Sequence, residues 1–203
     1  MSVDAVTVAS PTLAPGFEAP STHAAEAFRA AMDALARPGL LRAMPSLTAP
    51  DGLSHAAAAL LLTLADPDTP VWLDDRAAGA AGWLVFHTGA AIAEDKASAA
   101  LAVGPWAALM PISAWPAGVP DYPDRSTTLI IEVAALTGGP RLSLQGPGIA
   151  GRREVDPMLP DEVPRVLSEN RARFPLGVDL FLAAGDSVMG LPRTTCVTAA
   201  EAG

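Results

Sequence analysis

The sequence predicts an α/β protein: a single domain in which a mixed β-sheet lies between two helical layers, a three-layer αβα arrangement. Runs of β-branched and aliphatic residues alternate along the chain with segments whose apolar residues recur at helical spacing. A Gly138-Gly139-Pro140 turn between two strand-like runs predicts an antiparallel hairpin, which makes the sheet mixed. The 203 residues fit one domain with a sizeable core.

The elements follow from local patterns taken in chain order. Residues 1–20 are small, Pro-containing and aperiodic, typical of a flexible arm, and the domain is assigned to residues 21–203. Helices are predicted for residues 21–37, 53–64, 106–110 and 161–174, with an Ala/Gly-rich helix starting at Asp74-Asp75. Strands are predicted for residues 40–44, 71–73, 83–88, 99–103, 122–133, 141–145, 178–182 and 196–197. Four prolines make residues 111–123 a loop.

Caps and apolar stripes define the helices further. Ser21 and Thr22 offer N-cap hydroxyls to the first helix, and Asp51 offers a carboxylate to the second. The inward stripe of the first helix is predicted to contain Ala24, Phe28, Ala31, Met32 and Leu35. The inward face of the last helix is predicted to contain Val163, Val166, Leu167 and Asn170.

The central feature is the hairpin formed by the strands of residues 122–133 and 141–145. Leu142 and Leu144 alternate with polar residues in its second strand. The strand ends in Gly146-Pro147-Gly148, which we interpret as a tight turn needing positive φ. A phosphate loop is rejected, because neither nucleotide-binding glycine signature is present and Pro147 lacks the N–H that an anion nest needs.

Composition restricts the function. Half of the residues are hydrophobic, 17% are charged and the net charge is −9, so a nucleic-acid partner is not expected. Cys196 is the only cysteine, which excludes an internal disulfide and favours a reducing compartment. The N-terminus lacks a secretory pattern and no segment is a convincing membrane span, so we expect a cytoplasmic protein without a membrane partner.

Candidate catalytic and metal-binding residues are few. His23 and His55 lack ligands at metal spacing, and His87 lacks a local nucleophile or carboxylate that would complete a triad. We therefore name no catalytic residue and no metal site. Lys96, the only lysine, lies in a charged Glu94-Asp95-Lys96 turn where its amine is expected to be solvated.

Two short motifs suggest anion binding. Arg193 supplies a planar fork for a phosphate and Thr194 an adjacent hydroxyl; Arg125 and Ser126 form a similar pair. The alternatives stay open at this point: Arg193 paired with Asp179 or Glu132, and Arg125 paired with Asp124. Asp179 lies within an apolar strand and should have a buried partner. The anion-binding candidates are therefore Arg125, Ser126, Arg193 and Thr194.

A set of ordered motifs resembles a known family. The motifs are Ala27-Phe28-Arg29-Ala30-Ala31-Met32, Arg37-Pro38-Gly39, Asp66-Pro67-Asp68-Thr69-Pro70-Val71-Trp72-Leu73, Phe86-His87-Thr88-Gly89, Tyr122-Pro123-Asp124-Arg125-Ser126-Thr127-Thr128, Leu144-Gln145-Gly146-Pro147-Gly148-Ile149, Asn170, Phe174-Pro175-Leu176-Gly177-Val178-Asp179 and Gly190-Leu191-Pro192-Arg193-Thr194-Thr195. Together they resemble the H subunit of the bacterial carbon–phosphorus lyase system, the PhnH family, from about residue 16 to residue 197.

The resemblance implies a role in the use of organophosphonates as a phosphorus source. It implies an assembly with G, I and J subunits that attaches a phosphonate to the ribose C1 of ATP and displaces adenine, and it implies a homodimer. The fold is implied to be similar to pyridoxal-phosphate-dependent transferases, yet without the cofactor. The resemblance supplies no catalytic residue, so this chain is expected to be an accessory subunit.

Two other classes stay open from sequence. In the first, the chain is an independent enzyme that acts on a nucleotide or sugar phosphate through Arg193 and the neighbouring hydroxyls. In the second, it is a pyridoxal-phosphate enzyme. The second needs a lysine Schiff base in a desolvated pocket. Because Lys96 is the sole candidate and is expected to be solvated, we predict that no cofactor binds.

Overall fold

A computed structural model describes residues 15–200. The five α-helices in that range are α1 (Pro20–Ala36), α2 (His55–Leu64), α3 (Ala81–Thr88), α4 (Trp106–Leu109) and α5 (Val163–Arg171). Its strands are β1 (Leu41–Ala43), β2 (Val71–Leu73), β3 (Leu101–Pro105), β4 (Ala117–Val119), β5 (Tyr122–Ser126), β6 (Thr128–Glu132), β7 (Leu142–Gln145), β8 (Arg153–Val155), β9 (Asp179–Ala184), β10 (Ser187–Leu191) and β11 (Cys196–Ala199).

A six-stranded sheet organises the molecule, with the strand order β1-β10-β9-β6-β3-β2. Strands β2, β3, β6 and β9 run parallel to their neighbours in this group, whereas β10 pairs antiparallel with both β1 and β9. The predicted α/β class with a mixed sheet is therefore confirmed. A three-stranded sheet, β11-β7-β8, and the β4–β5 hairpin are separate from it.

The two faces of the main sheet carry two apolar cores. Side chains alternate along each strand: Ile130 of β6 belongs to one core, and its neighbours Leu129 and Ile131 belong to the other. Residues of α1, α2 and α3 cover the first core. Residues of α4, α5 and the three-stranded sheet cover the second, so that outer layer contains strands as well as helices.

Helix α1 packs on β10 through a face that shares only part of the predicted stripe: Ala31 is buried and Ala24 and Leu35 pack against the core, but the two largest predicted residues point outward. Its buried residues are Ala27, Ala31 and Ala34, whereas Phe28 and Met32 are 48% and 57% exposed. The reason is close approach: a Cβ added at Gly190 of β10 would lie 2.5 Å from the Ala34 carbonyl. Only small side chains fit between the two backbones. The predicted Ser21 and Thr22 caps are also wrong, since the N-cap is Ala19 without a side-chain bond.

Two further predictions on the first face are corrected. The N-cap of α2 is Ser54, whose hydroxyl accepts from the Ala57 N–H at 3.1 Å, and not Asp51. Residues 83–88 were predicted as a strand, but they lie in α3, which buries Trp83 and Leu84. A short apolar run with no strict alternation fits a buried helix as well as a strand, and tertiary packing decides between them.

The predicted central hairpin does not form. Residues 122–126 pair with β4, residues 128–132 form β6 in the middle of the main sheet, and β7 pairs with β8 and β11 in the small sheet. The Gly138-Gly139-Pro140 segment therefore carries the chain from one sheet to the other. The predicted loop of residues 111–123 contains a single turn of 3-10 helix (Ile112–Ala114), β4 and the start of β5.

The C-terminal elements agree better with the sequence. Helix α5 buries Val163, Val166, Leu167 and Asn170, as predicted. Strands β9 and β11 confirm the runs at residues 178–182 and 196–197, but β10 was not predicted. The predicted arm falls mainly on residues 1–14, which lie outside the described residues, and the single-domain assignment stays a prediction. None of the helices between residues 15 and 200 is long and apolar enough to cross a membrane.

Candidate functional site

Arg193 lies at the centre of a hydrogen-bond network between three parts of the chain. Its guanidinium binds Asp179 at both oxygens, with Nε–Oδ1 at 3.1 Å and Nη2–Oδ2 at 2.7 Å. Nη1 donates to the carbonyls of Pro123, at 2.9 Å, and Pro175, at 3.3 Å. Nη2 also donates to the Ser126 hydroxyl. These contacts use all five N–H donors of the side chain.

The backbone explains why these residues meet. Leu191 of β10 pairs with Leu180 of β9, so the residues that follow β10 lie beside the start of β9. The Arg193 backbone N–H donates to Asp179 Oδ1 at 2.8 Å, which fixes the turn after β10. Arg193 is thus the buried partner that Asp179 was expected to have, and its side chain is only 11% exposed. An anion at this guanidinium would have to displace one of its present acceptors.

The structure brings the four predicted anion-binding residues into one region. Ser126 contacts Arg193 directly, and Thr194 follows it, with its carbonyl 3.4 Å from Nε of Arg171. Arg125 is exposed, and its guanidinium lies over the Tyr122 ring, 4.1 Å from the centroid. The ion pairs of residues 15–200 do not include one between Arg125 and Asp124. An anion contact of these four residues stays a prediction.

The Gly146-Pro147-Gly148 corner is adjacent to this region. Gly148 has φ 78° and packs against the Ala36 carbonyl at the end of α1, so the positive φ and the close approach both favour glycine. Pro147 lines a groove of about 330 Å³ with Arg171, Phe174 and Thr194. The corner therefore places Pro147 beside the end of α5. The sequence did not single out Arg171 and Phe174, although Phe174 belongs to one of the quoted motifs.

A second cluster of polar side chains lies where parallel strands end. Glu132 ends β6, and its Oε1 accepts from the Ser54 N–H at 2.7 Å, not from Arg193. Burial raises the pKa of Glu132; the bonds from Ser54 oppose this, and the nearby Asp74 carboxylate adds to it. Asp74 follows β2 and is itself buried. The carboxyl ends of parallel strands are the places where α/β sheets often bind ligands. From the sequence, only Glu132 of this cluster was singled out, and only as a possible partner of Arg193.

Lys96 does not lie in a solvated turn, which corrects that expectation. Its amine donates to the carbonyls of Ala108, at 2.6 Å, and Met110, at 3.4 Å. It also lies 5.3 Å and 5.0 Å from the ring centroids of Trp72 and Trp115. The ammonium group satisfies carbonyls at the end of α4, where a helix attracts a cation. The absence of pyridoxal phosphate stays a prediction.

The histidines lie away from the Arg193 network. His23 and His55 line a cavity of about 820 Å³ near the starts of α1 and α2, and His87 packs edge-on against Trp83 and Phe86. Within residues 15–200, no group of three or more His, Cys, Asp or Glu side chains is placed to hold a metal ion.

Comparison with known proteins identifies the family. The family described as bacterial phosphonate metabolism protein (PhnH) matches residues 15–198. The chain belongs to the PhnH family. A PhnH-family relative from Rhizobium meliloti (strain 1021), named alpha-D-ribose 1-methylphosphonate 5-triphosphate synthase subunit PhnH, is 42% identical over 184 residues, covering 88% of this chain and 92% of the relative.

A second relative extends the comparison. The putative C-P lyase subunit protein HtxG of Stutzerimonas stutzeri is 40% identical over 77 residues, which are 37% of this chain and 39% of that protein. The resemblance drawn from the ordered motifs is therefore confirmed. Both PhnH-like relatives are described by their names as subunits.

Proposed function

We propose that this chain is a subunit of the carbon–phosphorus lyase core complex. There it supports the transfer of a phosphonate to the ribose C1 of ATP, which produces ribose 1-methylphosphonate 5-triphosphate during organophosphonate catabolism. The observation that carries the proposal is the 42% identity to a subunit of that synthase over 92% of the relative's length.

The role that fits the geometry is accessory and not catalytic. Arg193 is the strongest anion-binding candidate by sequence. Its guanidinium donates hydrogen bonds to Asp179, Ser126 and two backbone carbonyls. This arrangement favours a structural role of the Arg193 guanidinium over a role in binding substrate. Arg125, Ser126, Arg193 and Thr194 remain the proposed anion contacts, and calorimetry with methylphosphonate or ATP tests them: no binding, alone or in the complex, removes the proposal.

The proposed partners are the G, I and J subunits, in the cytoplasm, with a second copy of this chain forming a homodimer. Phe28 and Met32 on α1 and Leu41 on the edge strand β1 are all exposed, and exposed apolar side chains of this size favour an interface. Light scattering of the purified chain should give the mass of a dimer. The similarity of fold to pyridoxal-phosphate-dependent transferases also stays part of this proposal.

Omission from a reconstituted complex tests the function. Adenine release from ATP in the presence of methylphosphonate should require this chain together with the G, I and J subunits. The same rate with and without the chain would remove the proposal. The alternative, an independent enzyme on a nucleotide or sugar phosphate, is not favoured; it would require turnover of ATP and methylphosphonate by the chain alone.

A further inference from the structure

The end of α5 exposes an unusual combination of side chains. Phe174, just after the helix, is 61% exposed, and the neighbouring Arg171 and Arg173 are exposed as well. Exposed aromatic and arginine side chains are the types most enriched in the energetic centres of protein interfaces. We call Arg171, Arg173 and Phe174, together with Tyr122, the α5-end surface.

The two arginines of this surface are not neutralised. Among the described residues, the Arg173 side chain has no ion pair or hydrogen bond, and Arg171 has only the 3.4 Å contact with the Thr194 carbonyl. Glu169 of the same helix is bound by Arg165 at 2.6 Å. Glu162 accepts from the Trp106 indole at 2.7 Å, and it lies at the opposite end of α5, roughly 15 Å along the axis.

The β4–β5 hairpin brings a second aromatic side chain to this surface. Nη1 of Arg193 bonds the carbonyls of both Pro123 and Pro175, the residues that directly follow Tyr122 and Phe174. Tyr122 is 50% exposed and Phe174 is 61% exposed, so one buried guanidinium supports the backbone beneath two exposed rings. A surface whose backbone is already fixed loses little entropy when it binds.

Shallow grooves flank the two arginines. The groove of about 330 Å³ runs along Arg171, and another of about 450 Å³ lies beside Arg173. Pro111, Ile112 and Val166 form the apolar wall of the second groove, which is also lined by Glu162 and by the Arg165–Glu169 ion pair. Two open grooves on either side of a ridge fit side chains of a protein segment better than one enclosed small molecule. The hairpin side carries the exposed Asp121 and Asp124 beside a single exposed arginine, Arg125, so its formal charge is negative, whereas Arg171 and Arg173 make the end of α5 positive.

We propose that the α5-end surface docks another subunit of the assembly through an acidic segment that also presents a large apolar side chain. The acidic groups pair with Arg171 and Arg173, and the apolar side chain packs between Phe174 and the grooves. The argument is charge complementarity: this end of α5 has two unpaired guanidinium groups in a chain whose net charge is −9. The inference rests on the proposed function, because it needs an assembly to dock on.

The test is a matched pair of charge reversals in the full chain, co-expressed with the G, I and J subunits. R171E/R173E should weaken association at least ten-fold, and F174A by a smaller factor, in size-exclusion and biolayer measurements. R29E/R152E is the control, because Arg29 and Arg152 are also exposed, lack ion pairs among the described residues and give the same change in net charge. Melting temperatures should stay unchanged, and association of the wild type should weaken with salt.

Each outcome decides something. Equal association of the two double variants overturns the docking surface and leaves the proposed function intact. A wild-type chain that binds none of the three subunits overturns both. Two further results assign the surface to another occupant and also overturn the proposal: a dimer that R171E/R173E converts to a monomer, or saturable binding of inorganic phosphate that this variant abolishes while complex formation is unchanged.

Discussion

At the scale of single residues, Arg193 shows that a side chain whose type suggests ligand binding also connects separate parts of the fold. Strand β9, the segment after β10 and the β4–β5 hairpin meet at its guanidinium. Removing the guanidinium leaves the Asp179 carboxylate and two backbone carbonyls without their donors. The resulting loss of folding free energy is larger than the net contribution of the intact pair. The residue is therefore a sensitive test of the whole region.

Arg193→Ala should lower the free energy of unfolding by about 2–3 kcal/mol, discounted for the partial exposure of Asp179, and lower Tm by roughly 4–12 °C. The stability of Arg193→Lys should lie between those of the wild type and Arg193→Ala, because lysine keeps the positive charge but lacks the planar fork of donors. Differential scanning calorimetry measures both, with Arg29→Ala as the exposed control. An Arg193→Ala protein that melts with the wild type would contradict the structural role.

Glu132 gives the second residue-scale prediction, a pH dependence. Burial raises the pKa of Glu132 in the folded protein, so the folded state holds this proton more tightly than the unfolded state. The contribution of Glu132 to folding stability is therefore fully present below the ordinary glutamate pKa. It is lost as the pH rises through the pKa of Glu132 in the folded protein. Glu132→Gln keeps an acceptor for the Ser54 N–H but cannot ionise.

The Glu132→Gln protein should therefore be more stable than the wild type at neutral pH. The difference should shrink as the pH falls below the ordinary glutamate range. Melting curves from pH 4 to pH 8 measure this, with Glu94→Gln as the exposed control. A variant that is destabilised more at neutral than at acid pH would show that the charged carboxylate is favourable where it lies.

At the scale of elements, the contact of α1 with β10 limits which side chains fit between them. Gly190→Ala would place its Cβ 2.5 Å from the Ala34 carbonyl, a backbone atom that cannot rotate away. We expect a loss of about 1–3 kcal/mol. Gly79→Ala is the matched control, since nothing lies within 4 Å of a Cβ there. Chemical denaturation of both variants measures the difference, and equal midpoints would argue against the close approach.

The same contact explains what the sequence could and could not predict. The length and position of α1 follow from its apolar spacing, but Phe28 and Met32 are as apolar as a core residue and only the position of Gly190 shows that the alanine side faces the sheet. Likewise, β6 is recognisable as a strand, but its partners β3 and β9 are far away in sequence. Local patterns predict elements; long-range pairing decides where they lie.

The candidate site was predictable to the same extent. Arg193 and Asp179 were identified as possible partners because a charge inside an apolar strand requires one. The carbonyls of Pro123 and Pro175, which complete the network, have no sequence signal because every residue has a carbonyl. Arg171 and Phe174 look like the ordinary end of a helix until the structure shows that both are exposed and that Arg171 has no ion pair among the described residues.

At the scale of the whole molecule, the two cores share one sheet and should unfold together. Trp83 lies in the first core, whereas Trp72, Trp106 and Trp115 lie in or against the second. Fluorescence of a Trp83→Phe protein therefore reports the second core, and far-UV circular dichroism reports all elements. We expect one urea transition with the same midpoint by both probes. Two separated transitions would show that the outer layers unfold independently.

The position of β10 has a consequence for how the protein is made. This strand lies between β1 and β9, although β1 leaves the ribosome long before it. At about 5–20 residues per second, β1 waits roughly 7–30 s for its only neighbour in the sheet. Strand β7 similarly waits for β11, the last strand of the described chain. Until β10 and β11 have been synthesised, nascent chains thus expose unpaired strand edges, which are surfaces where other chains can pair.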